Sequence, residues 1–471
     1  MITLSAITSA VNGQLLGADC EVQSVGTDSR AIVSNQLFVA LKGENFDGNQ
    51  FAETAIQQGA AAVLVSDAQT KARPAIVVGD TRLALGQIAK YWRNQFDLPV
   101  IAITGSNGKT TTKEMLSAIL IAATNDAANV HATVGNLNND IGMPLTLLKL
   151  RKQHAYAVIE MGMNHLGEID YLSHIAQPNV ALINNAGTAH IGELGSRENI
   201  AKAKGEIFKG LSANGIAVIN ADDAFCAYWQ SLNVSKKIIT FSLNKAADVT
   251  ASYKEKDGLS EVHLTTPTGS VTFKLNVLGK HNISNALAAS AAAVALGISN
   301  QDIANGLQNM QAVHSRLQRM VGLNGTLLID DTYNANPDSM KAAIDVLAEM
   351  DGVSVFVMGD MGELGADAAA MHAEIGAYAK QKGVDHLLAF GPLSANAVTA
   401  FGESKLDQGA TGKTAQHFLE INDLINNAKN LMQKNVTVLV KGSRFMKMER
   451  VVAPLTQQNP EKSLMEDAQC Y

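Results

Sequence analysis

Apolar runs of four to six residues recur along the chain, each closed by glycine or a polar residue. In the first eighty or so residues they are "LFVAL" (37–41), "AAVLVSD" (61–67) and "AIVVGD" (75–80), separated by polar and glycine-containing turns. Little room is left there for long helices, so this part reads as a small α/β unit. From about Thr81 the runs "VIAITG", "AYAVIEMG", "NVALINNAG", "GIAVINADD" and "KIITFS" alternate with stretches of helical period. Buried parallel strands with crossover helices follow from that alternation. Residues 248–278 are richer in β-branched positions and carry "KDG" and "PTG", which predicts antiparallel strands added to the same sheet. The alanine-rich "NISNALAASAAAVALG" predicts a tightly packed helix, and after "HSRLQRM" the alternation restarts in "GTLLIDD", "VSVFVMGD", "HLLAFG" and "VTVLVKGSR".

The expected fold is therefore α/β in three domains. Residues 1–82 form a small N-terminal domain, 83–314 a central mostly parallel sheet of phosphate-loop type, and 315–458 a C-terminal Rossmann-like domain, with 459–471 a polar tail. Composition sets limits on the chemistry. With 46% hydrophobic and 17% charged residues the chain is globular, and a net charge of -7 gives no electrostatic reason to expect nucleic acid or an anionic membrane as partner. Three scattered cysteines, Cys20, Cys226 and Cys470, suggest neither a disulfide framework nor a thiolate metal site. The N-terminal residues lack a basic, long-apolar leader pattern and no apolar run reaches membrane-spanning length, so a cytoplasmic protein is expected.

The chemistry concentrates in "VIAITGSNGKTTTKEM" (100–115). Between strand and helix, Thr104, Gly105, Ser106, Asn107, Gly108, Lys109, Thr110 and Thr111 offer backbone N–H groups, a mobile lysine charge and a hydroxyl for magnesium. Two residues are missing relative to the usual phosphate loop, which argues against an ordinary kinase or GTPase but leaves the donors in place. Glu160, at the end of a neighbouring strand, is placed to hold magnesium. His190 follows the next strand, and taken alone it reads as a loop histidine. Lys204 alone reads as a helix-surface lysine. Asp330 and Asp331 could bind a ribose, a metal or nothing, and Arg316 lies near the expected domain junction, where a cation could reach a nucleotide bound next door.

Taken together, "TGSNGKTTTKEM", "GNLNNDIGMP", "EMGMNHLGEID", "NAGTAHIGELGS", "AKAKGEIF", "GKHNISNALAA", "DDTYNANPDSM", "GDMGELG" and "KGSR" resemble the Mur ligases of bacterial cell-wall synthesis over nearly the whole chain. The last blocks are similar to those of the family member that acts on UDP-N-acetylmuramoyl-tripeptide and D-alanyl-D-alanine. The resemblance implies that ATP phosphorylates the tripeptide's terminal carboxylate and that the dipeptide amine then attacks the acyl phosphate. It implies ATP and Mg2+ as cofactors, with Lys109 and the loop amides on the phosphates and Thr110 and Glu160 on one magnesium. His190 would assist a second magnesium, and Lys204 matches the position that carries a carbamate in several relatives. Asn285, Arg316, Asp331, Asn334 and Asn336 match positions near the nucleotide. Ser29, Arg30 and Lys42 match the region for the UDP end, Asn138 and Asn139 face the same substrate, and Asp360, Ser443 and Arg444 fall in blocks near the dipeptide. One position departs from the family pattern: Asn49 stands where a histidine is expected.

The enzyme is expected to act as a monomer, with the central and C-terminal domains rotating together to assemble the site and exclude water. Other readings are another Mur-type or folylpolyglutamate-type ligase, a small-molecule kinase, a GTP switch, or a nucleotide-binding scaffold. The GTP switch is disfavoured because "NKAAD" (244–248) is one residue too long for the guanine signature.

Overall fold

A computed structural model describes residues 2–256, 259–402 and 412–457. The polar tail with Cys470, and the Asp-Gly of the "KDG" turn, lie outside the described residues. Three large sheets carry the chain, each flanked by helices, as the alternation of runs predicts, and Ile2–Thr3 pairs with Glu21–Val22 in a fourth of two strands. The N-terminal sheet orders its strands Gln14–Leu16, Ala75–Val77, Ala62–Val65, Gln36–Val39 and Ser24–Gly26. Only its first pair is antiparallel. The three long apolar runs became its inner strands because they are buried on both faces, which an unbroken apolar run suits.

Helix Thr81–Arg93 connects this unit to the next. Asp80 caps it, accepting from the N–H groups of Arg82 and Leu83. Its first hydroxyl, Thr81 Oγ1, donates to Ala40 O in the N-terminal unit, while the helix body packs on helices Gly142–Leu147 and Glu168–Ala176 of the central unit. The boundary expected after residue 82 falls in its first turn.

In the central sheet the strands run Gly269–Leu275, Leu259–Thr266, Val249–Lys256, Lys237–Ser242, Ile216–Asn220, Val180–Ile183, Val100–Thr104, Tyr156–Glu160 and Val130–Ala132. Val249–Lys256 joins its neighbour in parallel, and the two strands beyond it are antiparallel. The short, half-exposed strand Val130–Ala132 has no apolar run to announce it. Val100–Thr104 pairs in parallel with Tyr156–Glu160 on one side and Val180–Ile183 on the other. The connections therefore diverge at this strand, and a crevice opens at its C-terminal end, where open α/β sheets bind ligands.

Behind that crevice, helix Lys109–Thr124 packs on the alanine-rich helix Lys280–Ala295 and on Asn300–Asn309. A methyl group at Gly306 would stand 2.4 Å from Ile119 Cα, so this helix pair approaches as closely as backbone permits. The C-terminal sheet orders Gln318–Val321, Leu327–Asp331, Val436–Lys441, Val353–Gly359, His386–Phe390 and Thr414–Phe418. All pairs but the first are parallel. The two edge strands were not anticipated from sequence; Gln318–Val321 alternates partly buried with exposed positions and forms no apolar run.

Candidate active site

The phosphate loop is held from behind by asparagines. Asn184 and Asn185, which follow strand Val180–Ile183, donate to Asn107 O at 2.9 and 3.1 Å. Asn185 also accepts from Asn107 N through Oδ1 (2.9 Å) and from Ser106 N through its carbonyl (3.0 Å). Ser106 Oγ accepts from Gly187 N, and Lys109 Nζ donates to Gly105 O at 2.7 Å. Asn285, on the alanine-rich helix, takes the amide of Asn184 on its Oδ1 at 2.8 Å. These bonds fix a short loop that has few internal contacts of its own.

Gly108 begins helix Lys109–Thr124 at φ 78°. A methyl group there would lie 2.2 Å from Asn285 Oδ1 and 2.4 Å from Asn184 Nδ2. Gly108→Ala thus combines left-handed strain of about 1–2 kcal/mol with collision against the bracing amides. Nucleotide affinity, measured by calorimetry, is expected to fall by about tenfold or more; an unchanged affinity would mean that the loop tolerates a different path.

Glu160 ends its strand almost wholly buried, and its carboxylate is fully engaged. Oε2 accepts from Thr110 Oγ1 at 2.9 Å and Oε1 from Asn138 Nδ2 at 2.7 Å. Burial without such donors would be costly for a carboxylate. His190 sits in the left-handed region (φ 63°) before the short helix Ile191–Leu194, with Nδ1 2.8 Å from Glu363 Oε2. The histidine holds Glu363 below the usual carboxylate range. Lys204, on helix Arg197–Gly205, is only 2% exposed, and among the described residues no hydrogen bond or ion pair meets its Nζ. Burial first, and the charge of Lys109 second, push its ammonium well below the usual lysine range.

The C-terminal unit reaches across. Arg316 Nη2 donates to Thr110 Oγ1 at 2.9 Å, and its guanidinium lies 4.0 Å from the centre of the Tyr333 ring. Asn336 caps helix Pro337–Ala348 and donates to Asn107 Oδ1 at 2.7 Å. Asp338, in the first turn of the same helix, accepts from both N and Oγ1 of Thr188. Asp331 pairs with Lys441 at 2.7 Å; burial nevertheless raises its pKa against the pull of Lys441 and Arg316. A cavity of about 1410 Å³ results, walled by the loop, Glu160, His190 and these C-terminal residues.

A phosphate-binding loop, a strand-end carboxylate and a second α/β unit closing over both define a family architecture, and comparison with known proteins decides which. Residues 103–293 match the Mur ligase middle domain, 315–444 the Mur ligase glutamate ligase domain, and 21–93 the Mur ligase family catalytic domain. The chain belongs to the Mur ligase family. The UDP-N-acetylmuramoyl-tripeptide–D-alanyl-D-alanine ligase of Escherichia coli (strain K12) is 46% identical over 96% of this chain and 98% of that one. Among solved structures, MurF from Acinetobacter baumannii superposes with a TM-score of 0.87 at 40% identity, covering 95% of this chain and 97% of that one. MurF ligase from Thermotoga maritima in complex with ADP gives 0.79 at 27% identity over 92% and 97%.

In this Mur ligase several residues expected to touch ligands turn inward instead. Thr104 is fully buried and spends its hydroxyl on Met161 O, so neither it nor Gly105 lines the cavity. Asp360 is buried too, accepting from Leu393 N, Ser394 N and Ser394 Oγ; it ties two strand ends together and does not reach the cavity. Asn138 and Asn139 line the wall, but Asn138 holds Glu160 and Asn139 Oδ1 accepts from Gly142 N at the start of helix Gly142–Leu147. Asn285 and Asn336 likewise face the cavity with their side chains committed to the loop and its supports.

Thr111 lines the cavity beside Thr110, and Asn334 does so at the other side, with its carbonyl on Lys441 Nζ. Ser443 and Arg444 are also on the wall; Ser443 Oγ links Gly362 N to Ala335 O. Ser29, Arg30 and Lys42 stand apart from this cavity, in the loops after parallel strands Ser24–Gly26 and Gln36–Val39. Arg30 is exposed and forked onto Asp28. Asn49 clasps Asp47 and Ser66, joining the loops after two strands. Sequence reasoning did not single out Asn184, Asn185, Asp338, Glu363 or Lys441. "NNAG" and the lysine of "KGSR" were visible, but only the fold shows what they brace.

Proposed function

We propose that this Mur ligase joins D-alanyl-D-alanine to UDP-N-acetylmuramoyl-tripeptide with consumption of ATP, releasing ADP and phosphate and giving the UDP-muramoyl-pentapeptide of peptidoglycan synthesis. The observation that carries the reading is full-length similarity to ligases of that name, over a site where the phosphate loop and the C-terminal unit meet. A carboxylate oxygen of the tripeptide attacks the γ-phosphorus of ATP, and ADP leaves. The dipeptide's amine then attacks the acyl carbon, and phosphate departs with the oxygen it captured. Each step brings negative charges together, so cations placed in advance are worth most. Lys109 and the loop N–H groups hold the outer phosphates, and Arg316 adds a charge from the C-terminal unit. Ser443 and Arg444 lie where the dipeptide enters, and the loops of Ser29, Arg30 and Lys42 receive the UDP end.

Magnesium fits the residues present. The Thr110 hydroxyl and the Glu160 carboxylate stand 2.9 Å apart beside the loop, a donor pair that this ion takes together with phosphate oxygens. Bound there, it supplies neutralisation of the phosphate charge. His190 and a carbamate on Lys204 would serve a second ion: a buried lysine without a partner is neutral enough to combine with carbon dioxide, which turns a cation into a carboxylate. The working unit in this reading is the monomer, because the phosphate loop, Glu160, His190 and the C-terminal residues that the chemistry uses all belong to one chain. Cytoplasmic residence agrees with the use of ATP, and among the described residues no helix is long and apolar enough to cross a membrane. The acyl-phosphate step is tested with tripeptide carrying oxygen-18 in its terminal carboxylate. One labelled atom per turnover is expected in the released phosphate; unlabelled phosphate would exclude the step.

A further inference from the structure

Arg316 is the cation that the C-terminal unit sends to the phosphate loop, and it stands on an uncommon stretch of backbone. The residues on either side of it, Ser315 (φ 56°) and Leu317 (φ 48°), are both left-handed. Side chains other than glycine rarely adopt that conformation, and it persists only where the surroundings hold it. Among the described residues Arg316 Nε is buried with no hydrogen-bond partner. The guanidinium is therefore steered by Thr110 Oγ1, by the Tyr333 ring and by the path of its own main chain.

The segment "DDTY" (330–333) holds that path. Ser315 Oγ donates to Asp330 Oδ2 at 3.0 Å. A hydroxyl has one proton, so with that proton on Asp330 the oxygen accepts from His314 Nδ1, 2.8 Å away. Ser315 O accepts from Tyr333 N at 3.2 Å, and Leu317 N donates to Asp331 Oδ1 at 3.2 Å. Each left-handed residue is thus tied to one of two consecutive aspartates at the end of strand Leu327–Asp331. Asp331 lines the cavity and has Lys441 as a second partner. Asp330 is only 3% exposed, does not reach the cavity, and gives its other oxygen to Thr332 N and Thr332 Oγ1 at 3.0 and 2.6 Å. From there it can meet neither a ribose nor a metal, and what it holds toward the site is Ser315.

We propose that Asp330 and Ser315 are positioning residues: the buried carboxylate keeps Ser315 left-handed, and that turn delivers the Arg316 guanidinium to Thr110 and to the phosphates of the nucleotide. This rests on the nucleotide role given to Arg316 above.

The test measures, by calorimetry on the full chain, the affinity for a non-hydrolysable ATP analogue with magnesium. Ser315→Ala removes the hydroxyl and keeps the left-handed penalty, so the turn should relax and affinity fall by about tenfold. Ser315→Gly removes the same hydroxyl and leaves the same Asp330 oxygen unmatched, but glycine tolerates the conformation; its affinity should stay within about threefold of the intact enzyme. Equal losses in the two variants, or a larger loss in Ser315→Gly, would overturn the assignment. Asp330→Ala, with folding checked by its thermal midpoint, should match Ser315→Ala, and the Ser315 pair decides the matter where that variant does not fold. In an Arg316→Met background Ser315→Ala should cost less than about twofold more, because it acts through that side chain. Losses that multiply independently would also overturn the assignment, whereas an intact enzyme that binds no nucleotide would overturn the ATP reading itself.

Discussion

Lys109→Ala is expected to lower the ligation rate by about 100- to 1000-fold, the range found when one preorganised donor to a developing charge is removed. The side chain is the loop's only cation, and its Nζ already bonds Gly105 O at the rim of the turn proposed to surround the phosphates. Burial pulls its pKa down and Arg316 adds to that pull, which Glu160 and Glu363 oppose only in part. A neutral side chain of similar length should not rescue the activity. Lys109→Met is the control: it fills the space, and it should be as slow as Lys109→Ala. Circular dichroism and the thermal midpoint should stay near those of the unaltered enzyme, because no core contact is lost. A loss confined to KM for ATP, with kcat intact, would place the lysine in ground-state binding alone.

The second large effect is expected at Lys204. Removing its amine in Lys204→Ala should slow ligation by about 100-fold or more, if the group there acts as a ligand for charge in the transition state. The carbamate reading adds a signature that loss of an ordinary lysine would not give. Acetate or formate added in solution should restore part of the Lys204→Ala activity, by supplying a carboxylate to the emptied space. The unaltered enzyme should lose activity when carbon dioxide is stripped from the buffer and regain it with bicarbonate. The sign of the pKa shift is the one required: a lysine whose folded-state pKa is lowered is deprotonated at a pH where a free lysine is charged, and only the neutral amine adds carbon dioxide. Lys204→Arg should be inactive and unrescued. Full activity in carbon-dioxide-free buffer would dismiss the carbamate while leaving the ligase intact.

Much of this site was legible in the sequence, for identifiable reasons. Lys109 and Thr110 could be placed because a strand, a glycine turn and an amphipathic helix each leave a local pattern, and Glu160 because an acid closing so apolar a run needs a partner. His190 and Lys204 carried no such signal and were found only through family resemblance. The donors of the phosphate loop are legible in its own residues, but its path is held by Asn184, Asn185 and Asn285. Their importance depends on neighbouring strands and a distant helix, which no local period encodes. Thr104 and Asp360 illustrate the converse: both stand beside the motifs, yet each ties together the ends of two neighbouring strands. The half-exposed strands Val130–Ala132 and Gln318–Val321 escaped because they have no continuous apolar run.

The central claim is that the cavity between the phosphate loop and the C-terminal unit makes an amide bond. The most direct measurement incubates the full chain with ATP, magnesium, UDP-N-acetylmuramoyl-tripeptide and D-alanyl-D-alanine, following phosphate release and the UDP-linked product by mass spectrometry. The account predicts one ADP, one phosphate and one UDP-pentapeptide per turnover, with negligible sustained phosphate release when the dipeptide is left out. Phosphate release that does not depend on the dipeptide, with no pentapeptide formed, would contradict it.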